Sequence, residues 1–372
     1  MTLRERVACP DCSLEQHLPP IAEHEVARCR RCLRLLKVPE TQSRAALALT
    51  LAALLLWIPG CMAPLLTVIA GGASRSANLV ECAAKLWGSG YPPLSVLVAV
   101  LMIGIPSAFM VFTLAQLLPG INPNGLRRMA HHLRPWLMME VFVVGGCVAY
   151  SRIQSVASVE VDVGGWCLAG AALLLLGSLA LRGDPPEEED LRTPSGAVQA
   201  DPVRPLSLQS TTALVITGLV LYIPANLLPV LQIERYGATE SDTILGGVFE
   251  LVHNDLWPLA VIVFTASIVV PLAKLFGLAW LLWQTRRGSA RALHQRTRVY
   301  RLIDTIGRWS NIDVFMISIL GALVQFGALE RVRPEPGALA FAGVVLITMF
   351  AAQAFDPRAM WRAAQPATDA AP

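Results

Sequence analysis

Charged residues are scarce in this chain. Asp, Glu, Lys and Arg together make up 15% of its 372 residues, whereas soluble proteins average about 25%. Apolar residues make up 54% and gather in long runs, a pattern typical of polytopic membrane proteins rather than soluble globular domains. The net charge of +3 is small, and we expect no nucleic-acid partner.

Catalytic motifs are also lacking. The sequence contains no phosphate loop, no HExxH, no GxSxG and no recognisable Ser–His–Asp pattern. We therefore expect a protein that is not an enzyme and does not power transport by its own ATP hydrolysis. The stretch 1–40 has no apolar segment of the kind found in signal peptides, so we expect no cleaved leader there.

Eight apolar runs approach the length of about 20 residues that crosses a bilayer as a helix. We place them at residues 45–67, 92–118, 136–152, 164–182, 210–232, 256–284, 309–329 and 337–355. The second and sixth runs contain proline, so we expect them to tilt or kink. The sequence predicts an all-α polytopic membrane protein with about eight transmembrane helices.

The eight runs are two copies of one pattern. Ile58-Pro59, Pro64, Pro93 and Pro106 return in the same order and at the same spacing as Ile223-Pro224, Pro229, Pro258 and Pro271. The stretch from Trp136 to Phe142 returns as Trp309 to Phe315, at a slightly larger separation. Such a repeat indicates two related bundles with a site between or within them.

The repeat divides the chain into modules. We expect four-helix modules at residues 45–182 and 210–355, joined by a charged, disordered linker at 183–209. Residues 356–372 read as a frayed tail. With the N-terminus inside, cytoplasmic stretches carry 23 Lys and Arg residues and outer loops carry 6. The positive-inside rule therefore places both termini in the cytoplasm.

Four cysteines within the N-terminal stretch 1–40 have the spacing of a metal site. Cys9-Pro-Asp-Cys12 and Cys29-Arg-Arg-Cys32 are two CxxC turns separated by sixteen residues, as in zinc ribbons. Four thiolates close a tetrahedral site, which argues for a structural ion. Zn²⁺ is favoured and iron is possible; a redox-active thiol pair is the alternative.

The remaining candidate ligands and thiols have simpler interpretations. His17 and His24 read as loop residues, because four cysteines already saturate the site. The other four cysteines read as small apolar residues or partly buried thiols; they are Cys61, Cys82, Cys147 and Cys167.

Polar residues inside apolar runs are candidates for function, since they are costly at membrane depth. Lys274 has apolar sequence on both sides, and it either snorkels to the inner interface or faces a buried cavity. Ser267 lies two turns earlier on the same helix face. Glu140 and Asp313 are equivalent in the two repeats, and either is a candidate ion-pair partner for Lys274 or an acid at a helix N-terminus.

Two further polar residues favour structural roles. Asn226, between Pro224 and Pro229, is placed to satisfy carbonyls that the prolines leave free. Thr348 favours a bond to its own preceding turn over a substrate contact. Residues 288–308 alternate arginines with apolar positions, which indicates either an amphipathic basic helix on the anionic inner surface or a solvated loop.

Together these elements resemble the paraquat-inducible protein A family of PqiA- and LetA-like membrane proteins. The resemblance covers roughly residues 7–355 and is carried by the four N-terminal cysteines, Ile223-Pro-Ala-Asn-Leu-Leu-Pro229, Pro271-Leu-Ala-Lys274-Leu275 and Trp309-Ser-Asn-Ile-Asp313-Val-Phe315. It implies a Gram-negative inner-membrane protein that works with a periplasmic MCE-domain protein, whose stacked rings form a lipid conduit. It also implies that Glu140, Ser267, Lys274 and Thr348 serve lipid loading or proton coupling.

The chain departs from that family in one respect. Family members commonly carry a second ribbon between the modules, but residues 183–210 contain no cysteine. We expect a non-enzymatic component that passes phospholipids to or from an MCE conduit, with the polar site in the second module. The alternatives are a membrane-anchored ribbon that acts as a scaffold or sensor, and a proton-coupled exporter of small molecules.

Overall fold

The protein is a multi-pass helical membrane protein. The computed structural model describes residues 5–18, 26–37, 40–70, 73–116, 123–154, 158–182, 205–235, 238–323 and 330–364. Within these ranges seven helices are long and apolar enough to cross a membrane: Arg44–Met62, Pro92–Ala115, Gly125–Ser151, Val163–Leu181, Leu208–Leu227, Trp257–Arg286 and Pro336–Ala354. The predicted span at 309–329 is described only to residue 323 and is helical over Ile312–Leu323.

The described helices follow the same order in both modules. The first module contains α1 (Glu40–Met62), α2 (Leu79–Gly88), α3 (Pro92–Ala99), α4 (Ile105–Ala115), α5 (Pro123–Leu133), α6 (Met139–Gln154) and α7 (Val163–Arg182). The second contains α8 (Pro205–Leu227), α9 (Ile244–His253), α10 (Trp257–Phe264), α11 (Val270–Arg286), α12 (Leu293–Ile306), α13 (Ile312–Leu323) and α14 (Pro336–Ala354), and α15 (Pro357–Ala363) follows. Helix α8 begins inside the predicted linker, of which residues 183–204 lie outside the described ranges.

Short strands build the N-terminal ribbon and two small sheets. The ribbon consists of the hairpins β1 (Glu5–Ala8) with β2 (Glu15–Leu18) and β3 (Ala27–Arg28) with β4 (Leu35–Lys37). In each module the loop after the first helix and the loop before the last span together form an antiparallel sheet, and the two sheets have matching strand orders, β6-β5-β7 and β9-β8-β10. Their strands are β5 (Leu66–Ala70), β6 (Ala73–Ala77), β7 (Ser158–Val161), β8 (Leu231–Arg235), β9 (Ala238–Asp242) and β10 (Glu330–Pro334). Neither sheet was predicted from the sequence.

The repeat extends to irregular backbone. Between α3 and α4 the helix widens into a π-helical segment, Val100–Gly104, and the same happens at the equivalent place in the second module, Thr265–Val269. Pro106 and Pro271 follow these segments. Proline lacks an N–H and its ring collides with the preceding turn, so a widened turn accommodates it without breaking the span. The irregularity of the second and sixth predicted spans thus lies beside their prolines.

The two modules meet at their third spans. Helices α6 and α13 pack together, and a Cβ on Gly145 would lie 3.3 Å from the carbonyl oxygen of Ile312. The rings of Phe142 and Phe315, which are equivalent in the repeat, lie 5.7 Å apart between centroids. Equivalent residues of the two copies therefore meet where the modules are in contact, and α13 also packs against α2 of the first module.

A glycine in each module permits a close contact between its first and fourth spans. Gly164 at the start of α7 donates its N–H to the carbonyl of Pro64 at 3.0 Å, and Gly337 at the start of α14 donates to Pro229 at 2.9 Å. A Cβ at either glycine would lie under 3.0 Å from backbone carbonyl oxygens. Backbone cannot move aside as a side chain can, so only glycine fits here.

We predict that Gly337→Ala lowers the free energy of unfolding by about 1–3 kcal/mol, the usual cost of overpacking a tight contact. Gly88→Ala is the matched control, because nothing lies within 4 Å of a Cβ at that position. Thermal unfolding of the purified proteins in detergent measures the difference. Equal melting temperatures for the two variants would show that the α8–α14 junction tolerates a methyl group.

One expectation about the ribbon side of the molecule was wrong, and a second is answered in part. Residues 357–363, predicted to fray, form α15, because Asp356 caps its first turn and Trp361 is buried against the ribbon. Residues 288–308 were predicted to form either an amphipathic helix or a solvated loop, and α12 is a helix. Its Val299 and Ile303 pack in one cluster with Leu278 of α11, whereas Leu302 and Ile306 stay exposed.

Candidate functional site

The four N-terminal cysteines converge on one point. Their Sγ atoms all lie within 4.8 Å of one another and all four residues are buried. Each hairpin supplies two of them through the same turn: Ser13 N–H donates to Cys9 O at 2.9 Å, and Leu33 N–H donates to Cys29 O at 3.0 Å. Ser13 and Leu33 both have positive φ, 54° and 61°, which folds each CxxC turn back on its own strand.

The arrangement fits a tetrahedral metal ion. Zn–S bonds of about 2.3 Å imply sulfur–sulfur edges of about 3.8 Å, and the pairs Cys9–Cys32 and Cys12–Cys29 lie 3.4 and 3.6 Å apart. Hydrogen bonding with Cys32 and Cys9 raises the pKa of Cys12, so these crowded thiols do not all ionise without a cation. The cluster can therefore bind a metal ion. His17 is exposed on β2, and His24 lies outside the described residues.

The ribbon precedes the first module in sequence but docks on the second. Asp11, between the first two cysteines, is 2% exposed. Its carboxylate accepts hydrogen bonds from Arg34 at 2.9 Å and from Arg301 of α12 at 2.7 and 3.1 Å. The guanidinium of Arg31 lies 4.4 Å from the ring centroid of Trp361, and Arg358 donates to Pro10 O at 2.6 Å.

Docking of the ribbon on the second module brings the guanidinium of Arg301 next to the metal cluster. Arg301 Nη2 also approaches the Sγ of Cys32 at 3.5 Å. A positive group hydrogen-bonded to a ligand thiolate reduces the negative charge of an S₄ site and fixes the ligand's orientation. Arg301 of the second module therefore contacts a cysteine of the metal cluster directly.

Lys274 is buried rather than extended toward an interface. Its residue exposure is 1%, and its Nζ donates to the carbonyl oxygen of Gly307 at 3.3 Å. A Cβ at Gly307 would lie 3.0 Å from both Cε and Nζ of Lys274. The glycine that begins the turn between α12 and α13 therefore makes room for the lysine side chain.

The other predicted polar residues occupy several environments. Ser267 and Thr348 are fully buried, and their hydroxyls donate to Val263 O at 2.7 Å and Val345 O at 2.9 Å. Asn226 donates to Tyr222 O at 2.9 Å, a bond within its own helix near Pro224. Glu140 is half-buried at the start of α6, and the side chain of Asp313 lies outside the described part of the structure.

Three buried polar residues near this group escaped the sequence reasoning: Ser310, Asn311 and Ser318. The turn Gly307–Asn311 packs against the π-helical segment that holds Ser267 and against α14, which holds Thr348. Asn311 donates to Met138 Sδ at 3.0 Å. We call Ser267, Lys274, Ser310, Asn311, Ser318 and Thr348 the polar track.

An alignment of the two repeats would have identified all six residues of the polar track from the sequence. At each position the second module is polar where the first is apolar or glycine: Met102/Ser267, Phe109/Lys274, Leu137/Ser310, Met138/Asn311, Gly145/Ser318 and Leu175/Thr348. The first-module residues of all six pairs are buried as well. The modules share a fold, so these six pairs differ in the chemistry of their side chains.

A cavity of about 570 Å³ opens beside Lys274 on the ribbon side. The ribbon, α12, the ribbon-side end of α14 and residues 131–135 of the first module line it. Asp304, not singled out from the sequence, faces the same cavity as Lys274. Lys274 therefore connects the polar track to this cavity, at the face where the ribbon docks.

Known proteins match nearly the whole chain. The family model described as paraquat-inducible protein A matches residues 44–182 and 208–365, one stretch for each module. The intermembrane transport protein PqiA of Escherichia coli (strain K12) is 31% identical over 399 residues, covering 96% of this chain and 95% of the relative.

Two other relatives match over similar lengths. The lipophilic envelope-spanning tunnel protein A of Escherichia coli (strain K12) is 28% identical and covers 95% of this chain and 91% of its own length. A probable intermembrane transport protein of Haemophilus influenzae is 26% identical, with 95% of each chain covered. No solved structure matches the chain significantly.

Proposed function

This chain belongs to the paraquat-inducible protein A family, and from that premise we propose that it is the inner-membrane component of an intermembrane lipid transport system. It passes phospholipids to or from a periplasmic MCE-domain protein. The names of its relatives, an intermembrane transport protein and a lipophilic tunnel protein, support transport between membranes. The observation that carries the proposal is the buried polar track of the second module.

The track suits a molecule with a polar head and apolar tails. Each acyl CH₂ exposed to water costs about 0.8 kcal/mol, so tails must stay among apolar side chains while the head needs polar contacts. Two residues of the track, Ser267 and Lys274, are buried on the span Trp257–Arg286, which also exposes apolar side chains at Phe276 and Trp280. Lys274 and a carboxylate adjust the head-group site in this mechanism.

The distribution of Lys and Arg along the chain indicates its orientation in the membrane. We propose that the ribbon and both termini lie in the cytoplasm, because the 23 to 6 division of Lys and Arg favours that side. The two small sheets then face the periplasm, where an MCE-domain partner would approach. In this orientation the cavity beside Lys274 opens at the inner leaflet.

We propose Zn²⁺ as the ion of the ribbon. Four thiolates in a closed tetrahedral site suit zinc and leave no position open for a substrate. The ion then holds the ribbon's shape, and the ribbon holds α12 and α15 through Asp11 and Trp361. A free scaffold is less well supported, because this ribbon face is already occupied by the chain's own second module.

Copurification tests the proposal. The tagged chain, extracted from its native envelope in mild detergent, is expected to bring down a periplasmic MCE-domain protein and bound phospholipid, both identified by mass spectrometry. A tagged multi-pass protein of another family, expressed at the same level, is the control. Recovery of neither the partner nor lipid above that control would contradict the proposal.

A further inference from the structure

The cavity beside Lys274 is strongly basic. Four arginines and one lysine line it: Arg28, Arg34, Arg134, Arg301 and Lys274. Asp304 is the one carboxylate on its wall among the described residues. Asp11 lies behind the wall and accepts hydrogen bonds from both Arg34 and Arg301. Five basic side chains thus line one small volume.

Such a cluster is unfavourable by itself. Like charges gathered in a small volume repel one another, and more strongly at a protein surface than in bulk water. A concave site lined by one sign of charge focuses its potential and draws in an ion of the opposite sign. The arrangement is therefore the one expected of a binding site for an anion.

The geometry favours a phosphate group over a carboxylate alone. Guanidinium groups from the ribbon, α12 and the first module line the cavity, and the planar fork of arginine suits phosphate oxygens. Lys274 is 1% exposed, with its ammonium beside the cavity and one of its three N–H donors directed to Gly307 O. Ile303 and Met349 add apolar wall that an ester or an acyl chain would contact.

The size also fits. Ligand cavities in proteins commonly measure about 300–1,000 Å³, and this one measures about 570 Å³. That volume holds a glycerophosphate head group together with the first part of its chains. Because the cavity joins both modules and the ribbon, an anion bound there would bridge parts of the chain that are far apart in sequence.

We propose that this cavity binds a phosphate-bearing anion, either the head group of an anionic phospholipid or free phosphate. The lipid form of this inference rests on the proposed function, whereas the phosphate form stands without it. Arg28 of the ribbon and Arg134 of the first module contribute positive charge to the cavity, and so does Lys274 of the second module.

The experiment uses delipidated full-length protein and two probes. Inorganic phosphate is titrated against chloride of equal ionic strength, with thermal unfolding as the readout. In parallel, nanodiscs containing equal phosphatidylglycerol and phosphatidylcholine are analysed by native mass spectrometry for retained lipid. The double variant Arg28→Gln/Arg134→Gln is compared with Arg30→Gln/Arg298→Gln, which loses the same charge at exposed residues that do not line the cavity.

We expect the cavity variant to bind at least tenfold more weakly and the control within twofold of the native chain. Retention of phosphatidylglycerol over phosphatidylcholine identifies a lipid head group, and stabilisation by phosphate without retained lipid identifies the free anion. If the native chain shows neither response, or the cavity variant binds as the native chain does, the inference is overturned. Copurified MCE partner without anion binding would remove this inference and leave the proposed function standing.

Discussion

Lys274→Met will lower lipid transfer at least tenfold and leave the protein as stable as before, or more so. Lys274 is 1% exposed, and its ammonium has a backbone carbonyl as its hydrogen-bond partner among the described contacts. Burying an ammonium costs several kcal/mol unless it is well paired, and replacement by an apolar residue of similar length is often neutral or stabilising. A residue kept at that cost is retained for function.

The measurement needs two readouts from one preparation. Transfer of fluorescent phospholipid between donor and acceptor liposomes, with the partner supplied, reports function, and thermal unfolding in detergent reports stability. Lys85→Met is the matched control, because Lys85 lies near the end of α2 and outside the candidate spans. Loss of transfer together with a lower melting temperature would indicate that Lys274 supports the fold instead of the transport step.

The spans and the ribbon could be predicted because their signals are local. A run of about 20 apolar residues specifies a membrane helix whatever its neighbours are, and two CxxC turns specify a metal site whatever the ribbon docks against. Lys274, Ser267 and Thr348 were found by the cost of polar groups at membrane depth. Ser310 and Asn311 were missed because they lie at the start of a predicted span, where polar residues are ordinary.

The contacts that could not be predicted join distant parts of the chain. The hydrogen bond between Asp11 and Arg301 joins residues 290 positions apart in the sequence, and the one between Thr67 of β5 and Asp162 beside β7 joins residues 95 positions apart. Nothing in the sequence around Asp11 distinguishes it from an ordinary loop acid. The frayed-tail expectation failed for the same reason, since Trp361 is stabilised by a ribbon that lies near the opposite end of the chain.

Removing the metal will unfold the ribbon and release it from the second module. A ribbon of about 40 residues has too small a core to fold unaided, and structural zinc in small domains contributes about 10–16 kcal/mol of folding free energy at neutral pH. The ribbon's core consists of the four cysteines with Val7, Leu18, Leu36 and Trp361. Loss of the ion therefore removes most of what holds that core together.

The consequences reach α12. Once the first CxxC turn opens and the ribbon leaves, Arg301 remains on α12 without the carboxylate of Asp11. We therefore expect Cys12→Ser, or treatment with a strong chelator, to expose Trp361 to solvent and to make residues 5–37 sensitive to protease, while the spans remain folded.

Elemental analysis, tryptophan fluorescence and limited proteolysis check this on one sample. The native chain is expected to carry about one zinc ion, and Cys12→Ser close to none. Cys147→Ser is the control, since Cys147 is an exposed thiol outside the cluster. A metal-free protein whose ribbon stays protected from protease would show that docking through Asp11 and Trp361 suffices without an ion. Faster cleavage of both the ribbon and the spans would instead show that the ion stabilises the whole second module. Arg301 would carry that effect, because it joins Cys32 to α12, which lines the cavity beside Lys274.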